Sequence, residues 1–284
     1  MNISTFIYTV VLRPKPLNWL ANALIRAIVP RYLKTRGAII ALNPGDPVIS
    51  GALTFGVYEK AETAFFCRTC KPGMTFLDIG ANVGYFTALA IPRIGNGRII
   101  ALEPQRESFG FLERTVAANS ARNVTLVRKA ASSRPGVVTL YSSSTNRGDN
   151  RLYPNEFADS ESQVETCAID HLLNELNVAT VHLVKIDVQG HEGHVLAGMT
   201  NLLRTAPDIT ILLEFWPEGL RKASTRPEDL LDSLEAAGLQ LFELGGKGEL
   251  NPLDKQAIIA RNTGRKYTNI VARRGGAAQP EGAP

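Results

Sequence analysis

"TFLDIGANVGYFT", Thr75 to Thr87, runs from a short apolar segment through a glycine-punctuated turn into a second apolar segment. An apolar run of strand length, closed by an acid and a glycine, reads as a buried strand, and the segment after the turn reads as a helix. Gly80 and Gly84 let the backbone turn sharply and admit a ligand closely, while a helix start offers free N–H groups. The spacing is G-x-x-x-G and not the G-x-G-x-x-G that cradles a pyrophosphate, so a dinucleotide is disfavoured.

The same rhythm extends on both sides. Upstream, "YEKAETAFFCRTCKPG" predicts a helix closed by Pro72 and Gly73. Downstream, "RIIALEP" predicts a strand ending at Glu103, "ESFGFLERTVAANS" a helix with Phe109, Leu112 and Val116 on one face, and "NVTLV" a third strand. Pro92 is expected to end the first core helix early. Residues 132 to 168, rich in Ser, Asn, Gly and Asp, predict strands or a flap laid over the site. "VHLVKID" resumes the alternation, followed by one helix through "HVLAGMTNLL", the strand "DITILLEF", the helix "PEDLLDSLEAAG", and the strands "LQLFEL" and "YTNIVAR". Alternating strand and helix predicts an α/β fold, a doubly wound and mostly parallel sheet whose ligands bind beyond the carboxyl ends of its strands.

With 284 residues and 44% hydrophobic content the chain fits one domain with appendages. The expected organisation is a basic N-terminal segment over 1–44, the main domain over 45–273 and a disordered tail over 274–284. Six of the cations, Arg13, Lys15, Arg26, Arg31, Lys34 and Arg36, fall in the first 45 residues with no acid among them, so the net +4 of the whole becomes −2 for the rest. A net acidic core without an interleaved basic and aromatic surface argues against nucleic acid as a partner. Within the basic segment Trp19, Leu20, Ala23, Leu24, Ala27 and Ile28 recur at helical spacing. Such a helix either lies on an anionic membrane surface, making residues 1–36 a peripheral contact, or packs on the body of the protein. No small-residue cleavage site marks a secretory signal. Cys67, Cys70 and Cys167 are too few for a disulfide framework, and the C-x-x-C at 67–70 lacks a second pair for zinc, so a reducing, cytoplasmic setting is expected.

The candidate cofactor residues follow from the strand ends. Asp78, Gly80, Asn82 and Gly84 occupy the first turn, and Glu103 closes the next strand, where a carboxylate can accept hydrogen bonds from both hydroxyls of a ribose. Ala130, just past the third strand in "RKAAS", completes the set. An acid on the first turn and another on the next strand suit a nucleoside that carries a cation and no phosphate. S-adenosylmethionine is such a molecule.

"TFLDIGANVGYFT", "ALEP", "VETCAIDHLL", "VHLVKIDVQGHEGHVLAG" and "ILLEFWPEGL", in that order, resemble the FkbM family of S-adenosylmethionine-dependent methyltransferases, and "ALNPGDPVISGALTFGVYE" resembles the lead-in of one subgroup. The resemblance spans roughly residues 40 to 273. It implies a class I methyltransferase fold of seven strands, mostly parallel with an antiparallel last strand, and O-methylation of sugars, lipids or secondary metabolites. The family more often has K-I-D-V-E-G where this chain has Gln189.

"KIDVQGHEGHVLAG", Lys185 to Gly198, holds His191, Glu192 and His194 one residue short of a zinc-peptidase H-E-x-x-H. The i,i+3 spacing at a glycine-interrupted helix start does not fit such a site. Methyl transfer to an alcohol needs the hydroxyl aligned and its proton removed, by a general base or by a metal that lowers its pKa. Asp187 ends the fourth strand and Glu214 the fifth, side by side in a parallel sheet, so the two could hold Mg²⁺ through oxygen, and Asp187 is the candidate carboxylate for catalysis. His191 and Glu192 are the alternative base. Asp149, Asn150 and Arg151, in the polar stretch 142–155, are candidates for contacting a small-molecule or glycolipid substrate. A nucleotide-linked oxidoreductase and a non-catalytic nucleic-acid-binding Rossmann module are the competing readings.

Overall fold

The computed structural model describes residues 27–143, 147–154 and 158–274. A hairpin of β1 (Tyr32–Thr35) and β2 (Ala38–Ala41) precedes the main sheet. Next come β3 (Thr75–Ile79), β4 (Arg98–Leu102) and β5 (Val124–Val127), then β6 (Ala130–Ala131), β7 (Gly136–Ser142) and β8 (Ser160–Cys167). The chain closes with β9 (Leu183–Ile186), β10 (Thr210–Phe215), β11 (Gln240–Leu244), β12 (Leu250–Pro252) and β13 (Thr268–Arg273).

The main sheet has the order β12-β11-β13-β10-β9-β3-β4-β5. The run β10-β9-β3-β4-β5 is parallel, and β13 inserts antiparallel between β10 and β11. This is the expected class I arrangement, the seven strands with an antiparallel last one, extended by the three-residue β12 at one edge. Central strands covered on both faces must be apolar along their whole length. Phe76, Leu77 and Ile79 in β3 and Leu183, Val184 and Ile186 in β9 are accordingly buried, and a single charged residue in each, Asp78 and Lys185, breaks the pattern. From β3 the chain winds outward through β4 and β5, then returns to place β9 on the other side of β3. That reversal opens a crevice at the carboxyl ends of β3 and β9.

Residues 132 to 168, expected to lie over the site, form most of a separate three-stranded sheet, β6-β8-β7. Two helix expectations are corrected. Pro92 does not end its helix early: Tyr85–Ile94 continues through it, since a proline in the last turn forfeits only one hydrogen bond. The segment through "HVLAGMTNLL" is two helices, Glu192–Ala197 and Thr200–Thr205. At the break, a Cβ on Gly198 would lie 2.1 Å from the Ser132 carbonyl oxygen. The Asp170 carboxylate then caps the second helix, accepting from the backbone N–H groups of Asn201 and Leu202 at 2.7 and 2.9 Å.

The hairpin at 32–41 belongs with the body of the protein, although it falls inside the segment set apart by its charge. Its backbone bonds to Thr115 of the helix Arg106–Ala118 and to Asn119, which caps that helix. Of the amphipathic pattern before it, only Ala27 and Ile28 are described, both exposed; Trp19 to Leu24 and the tail from 275 lie outside the described residues. Among the described residues no helix is long and apolar enough to cross a membrane.

Candidate active site

A cleft of about 550 Å³ occupies the crevice, within the usual range of roughly 300–1,000 Å³ for small-molecule sites. Asp78, Gly80, Asn82, Glu103 and Ala130 line one part of it, and Asp187 and Glu214 another. Sheet register explains the meeting: Asp78 pairs with Lys185 across β3 and β9, and one step further each chain leaves its strand over the cleft.

Glu103 is 6% exposed, its Oε2 accepting from the Asn82 backbone N–H at 2.9 Å and its Oε1 from that of Gln105 at 2.8 Å. Burial pushes its pKa up to about 7, partly offset by these two donors. Each oxygen keeps a lone pair for a ligand hydroxyl. Asp78 accepts from Thr87 Oγ1 at 2.6 Å through Oδ2, whereas its buried Oδ1 has no hydrogen-bond partner. Burial raises its pKa as well. An orphaned buried carboxylate oxygen in a cleft wall is the kind of atom a cationic ligand would complete.

At Gly80, which lines the cleft, a Cβ would lie 2.0 Å from the Asp187 carbonyl oxygen, so the bare Cα admits the neighbouring strand end. At Gly84 a Cβ would meet Leu112 Cδ1 at 2.7 Å, which assigns this residue to helix packing; it is not part of the cleft wall.

Asp187 and Glu214 come together as expected, and both line the cleft. Gln189 Nε2 donates to Asp187 Oδ1 at 3.0 Å and to Glu214 Oε1 at 3.2 Å, while Lys185 Nζ lies 3.0 Å from Asp187 Oδ2. An amide donor and an ammonium occupy the positions from which Mg²⁺ would be held, and among the described residues no group of three or more His, Cys, Asp or Glu could hold a metal. The arrangement gives no support to Mg²⁺ here. Burial, then the charges of Asp187 and Glu192, pushes the Glu214 pKa well up. Burial alone would lower Lys185, but Asp187, Glu59 and Asp78 outweigh it and hold the ammonium well above its ordinary pKa.

His191 and Glu192 are not among the cleft-lining residues. His191 Nε2 lies 3.2 Å from Ser132 Oγ, its ring stacks on His194 at 4.3 Å, and burial and then His194 press its pKa down to about 3. Glu192, fully buried, accepts from the backbone N–H groups of Val188 and Gly190, both at 3.2 Å. Of the substrate candidates, Asp149 and Asn150 face the cleft. Arg151 is 6% exposed and donates from Nε to Asp149 Oδ1 at 2.7 Å while its guanidinium stacks over Trp216, so it positions Asp149.

The sequence matches the family model described as the methyltransferase FkbM domain over residues 78–241. The chain belongs to the FkbM methyltransferase family. Hexuronic acid methyltransferase AglP of Haloferax volcanii is 26% identical to this chain over 173 residues, 57% of this chain and 62% of the relative, so the chain spans less than two thirds of that protein. Similar solved structures include a putative rRNA-methylase from Clostridium thermocellum, at 11% identity over 75% of this chain and 93% of that one with a TM-score of 0.46. Another is an S-adenosylmethionine-dependent O-methyltransferase from Thermotoga maritima, at 12% identity over 87% and 78% with a TM-score of 0.43.

The cleft also holds residues that no strand-end pattern in the sequence marks. Lys185 lies in the stretch quoted for its histidines, and its signal was a charge inside an otherwise apolar strand. Tyr58, Glu59 and Tyr267 also line the cleft, Glu59 with its pKa pushed by burial to about 7 against the pull of Lys185. They reach it from a loop before a helix and from the approach to β13, where no strand-end rule points.

Proposed function

We propose that the protein transfers the methyl group of S-adenosylmethionine to a hydroxyl of a sugar. The observation that carries this reading is the acidity of the cleft: six carboxylates line it, Glu59, Asp78, Glu103, Asp149, Asp187 and Glu214, against the ammoniums of Lys129 and Lys185. That lining attracts a cationic cofactor and repels an anionic acceptor atom, so a neutral hydroxyl suits it better than a carboxylate. Similarity to a hexuronic acid methyltransferase supports a sugar as the acceptor class.

S-adenosylmethionine, when bound, supplies a methyl group already activated on a sulfonium. Glu103 would hold its ribose hydroxyls, and Asp78 Oδ1 would face its positive end. The chain's remaining task is to orient the acceptor and take its proton. Of the two paired carboxylates, Glu214 is pushed toward the neutral form, whereas Asp187 is the anion of the ion pair with Lys185. Asp187 therefore accepts the proton and Glu214, as the acid, hydrogen-bonds the acceptor oxygen. Asp149, held by Arg151, and Asn150 offer further hydrogen bonds to a polyhydroxylated ring.

Calorimetry with S-adenosylhomocysteine, followed by radiolabelled methyl transfer to a panel of hexoses and hexuronates, tests the reading. Label in an alkali-stable ether is the expected product. Failure to bind S-adenosylhomocysteine overturns the proposal, and label in an alkali-labile ester overturns its acceptor atom.

A further inference from the structure

A second cavity of about 140 Å³ adjoins the cleft across Tyr58 and Tyr85, which line both. Their rings meet edge to face with centroids 5.2 Å apart, and the Tyr85 hydroxyl is fixed 3.0 Å from Thr63 Oγ1. The opposite wall comes from the hairpin, through Leu33, Thr35 and Arg36, and Lys60 completes it from the start of the helix Lys60–Thr69.

Its charge is the reverse of the cleft's. Arg36 and Lys60 line it, no carboxylate does, and neither cation has an ion-pair partner among the described residues. The acids next to Lys60 in sequence turn elsewhere: Glu59 toward Lys185 at 3.8 Å, and Glu62 to the Asn269 amide. The backbone is also committed to this arrangement. Arg36 at φ 49 and Gly37 at φ 81 form the tip of the hairpin, and Glu59 beside the shared wall has φ 36. Hairpin tips with two positive φ values favour Asn-Gly or Gly-Gly, so an arginine at the first position works against local preference. Non-glycine residues in that region cluster where a site needs them.

We infer that this cavity binds a phosphate group carried by the acceptor. At about 140 Å³ it is large enough to admit one phosphate group. Arg36 and Lys60 supply the charge, and Thr35 a hydroxyl. The inference rests on the reading of the adjoining cleft as the methyl-transfer site, and it deepens that reading: the acceptor is a sugar bearing a phosphate ester, its hydroxyl among the cleft carboxylates and its phosphate beyond Tyr58. The separation explains how an acidic cleft takes an anionic molecule.

The test is calorimetry of the whole chain with inorganic pyrophosphate and, separately, with S-adenosylhomocysteine, in wild type and in Arg36→Gln/Lys60→Gln. Wild type should bind pyrophosphate saturably and the double variant at least about tenfold more weakly, with S-adenosylhomocysteine affinity the same in both. Equal pyrophosphate affinity in the two proteins, or none in either, overturns the inference. Pyrophosphate binding that depends on the two cations in a protein that does not bind S-adenosylhomocysteine sinks the proposed function and leaves the phosphate site standing. Sedimentation with phosphatidylcholine vesicles containing phosphatidic acid assigns the source. Pelleting of wild type but not the variant makes the phosphate lipid-borne, and pelleting of neither makes it a soluble ester.

Discussion

Asp187 and Glu214, at the ends of adjacent parallel strands, share one hydrogen-bond donor, with Gln189 Nε2 3.0 Å from the first carboxylate and 3.2 Å from the second. Gln189 sits at φ 53, and its carbonyl accepts from the Tyr153 hydroxyl at 2.9 Å, so both ends of the residue are fixed. The amide keeps two carboxylates close without a cation between them. Turnover should therefore be unchanged in EDTA. Gln189→Glu, which exchanges the donor for a third carboxylate, should gain saturable Mg²⁺ binding by calorimetry that wild type lacks. Loss of wild-type turnover in EDTA, restored by Mg²⁺, would return the metal to this site.

The division of labour between the two carboxylates gives a second test. Removing a general base costs about 10²–10⁴-fold in turnover, and Asp187→Asn should fall in that range while cofactor affinity barely moves. Glu214→Gln copies the shape and hydrogen bonding of a protonated Glu214, so it should keep most of the wild-type turnover. The reverse ranking in steady-state assays, with Glu214→Gln the weaker enzyme, would transfer the role of base to Glu214.

Glu103 predicts how cofactor affinity responds to pH. Its pKa of about 7 in the free protein leaves it largely neutral in mild acid, and ribose hydroxyls donate best to the ionised form. Affinity for S-adenosylhomocysteine should therefore rise between about pH 6 and pH 8, with proton release visible as a dependence of binding heat on buffer ionisation. Glu103→Gln should flatten that dependence and weaken binding about tenfold or more at about pH 8, the scale of a charge-assisted hydrogen bond. A dissociation constant that does not change across this range would remove Glu103 from the cofactor contact.

Strand ends were the part of the molecule most legible in the sequence. Asp78, Glu103, Asp187 and Glu214 could be placed because apolar strands flanked by turns fix both the sheet and the direction of its termini. Glycines were less legible: Gly80 and Gly84 were recognised as obligatory, yet what a Cβ would strike at each is a neighbouring strand end and a helix, and packing partners distant in sequence leave no local signature. The same holds for Gly198, where contact with Ser132 breaks a pattern that reads as one helix. Gln189 was read as a missing carboxylate, because its role depends on two strand ends approaching a single side chain.

Glu192 gives the last prediction, one of stability. It is fully buried, its Oε1 accepts two backbone N–H groups and its Oε2 has no partner, so ionisation in the fold is unfavourable. Burial raises its pKa from 4.5 to about 7, partly offset by those backbone donors. For a carboxylate with a raised folded pKa, the folded state binds more protons than the unfolded one between these two values. Its contribution to stability is thus fullest below 4.5 and falls as pH rises toward 7, the reverse of ordinary acid denaturation. At 1.36 kcal/mol per pKa unit the loss above about pH 7 is on the order of 3 kcal/mol. Glu192→Gln keeps the accepting oxygen and cannot ionise. It should melt several degrees above wild type at about pH 8 and within a degree or so of it at about pH 4.5, on the scale of roughly 2–4 °C per kcal/mol. Equal melting temperatures at about pH 8 in differential scanning calorimetry would show that the wild-type fold does not have to ionise a buried Glu192 at that pH.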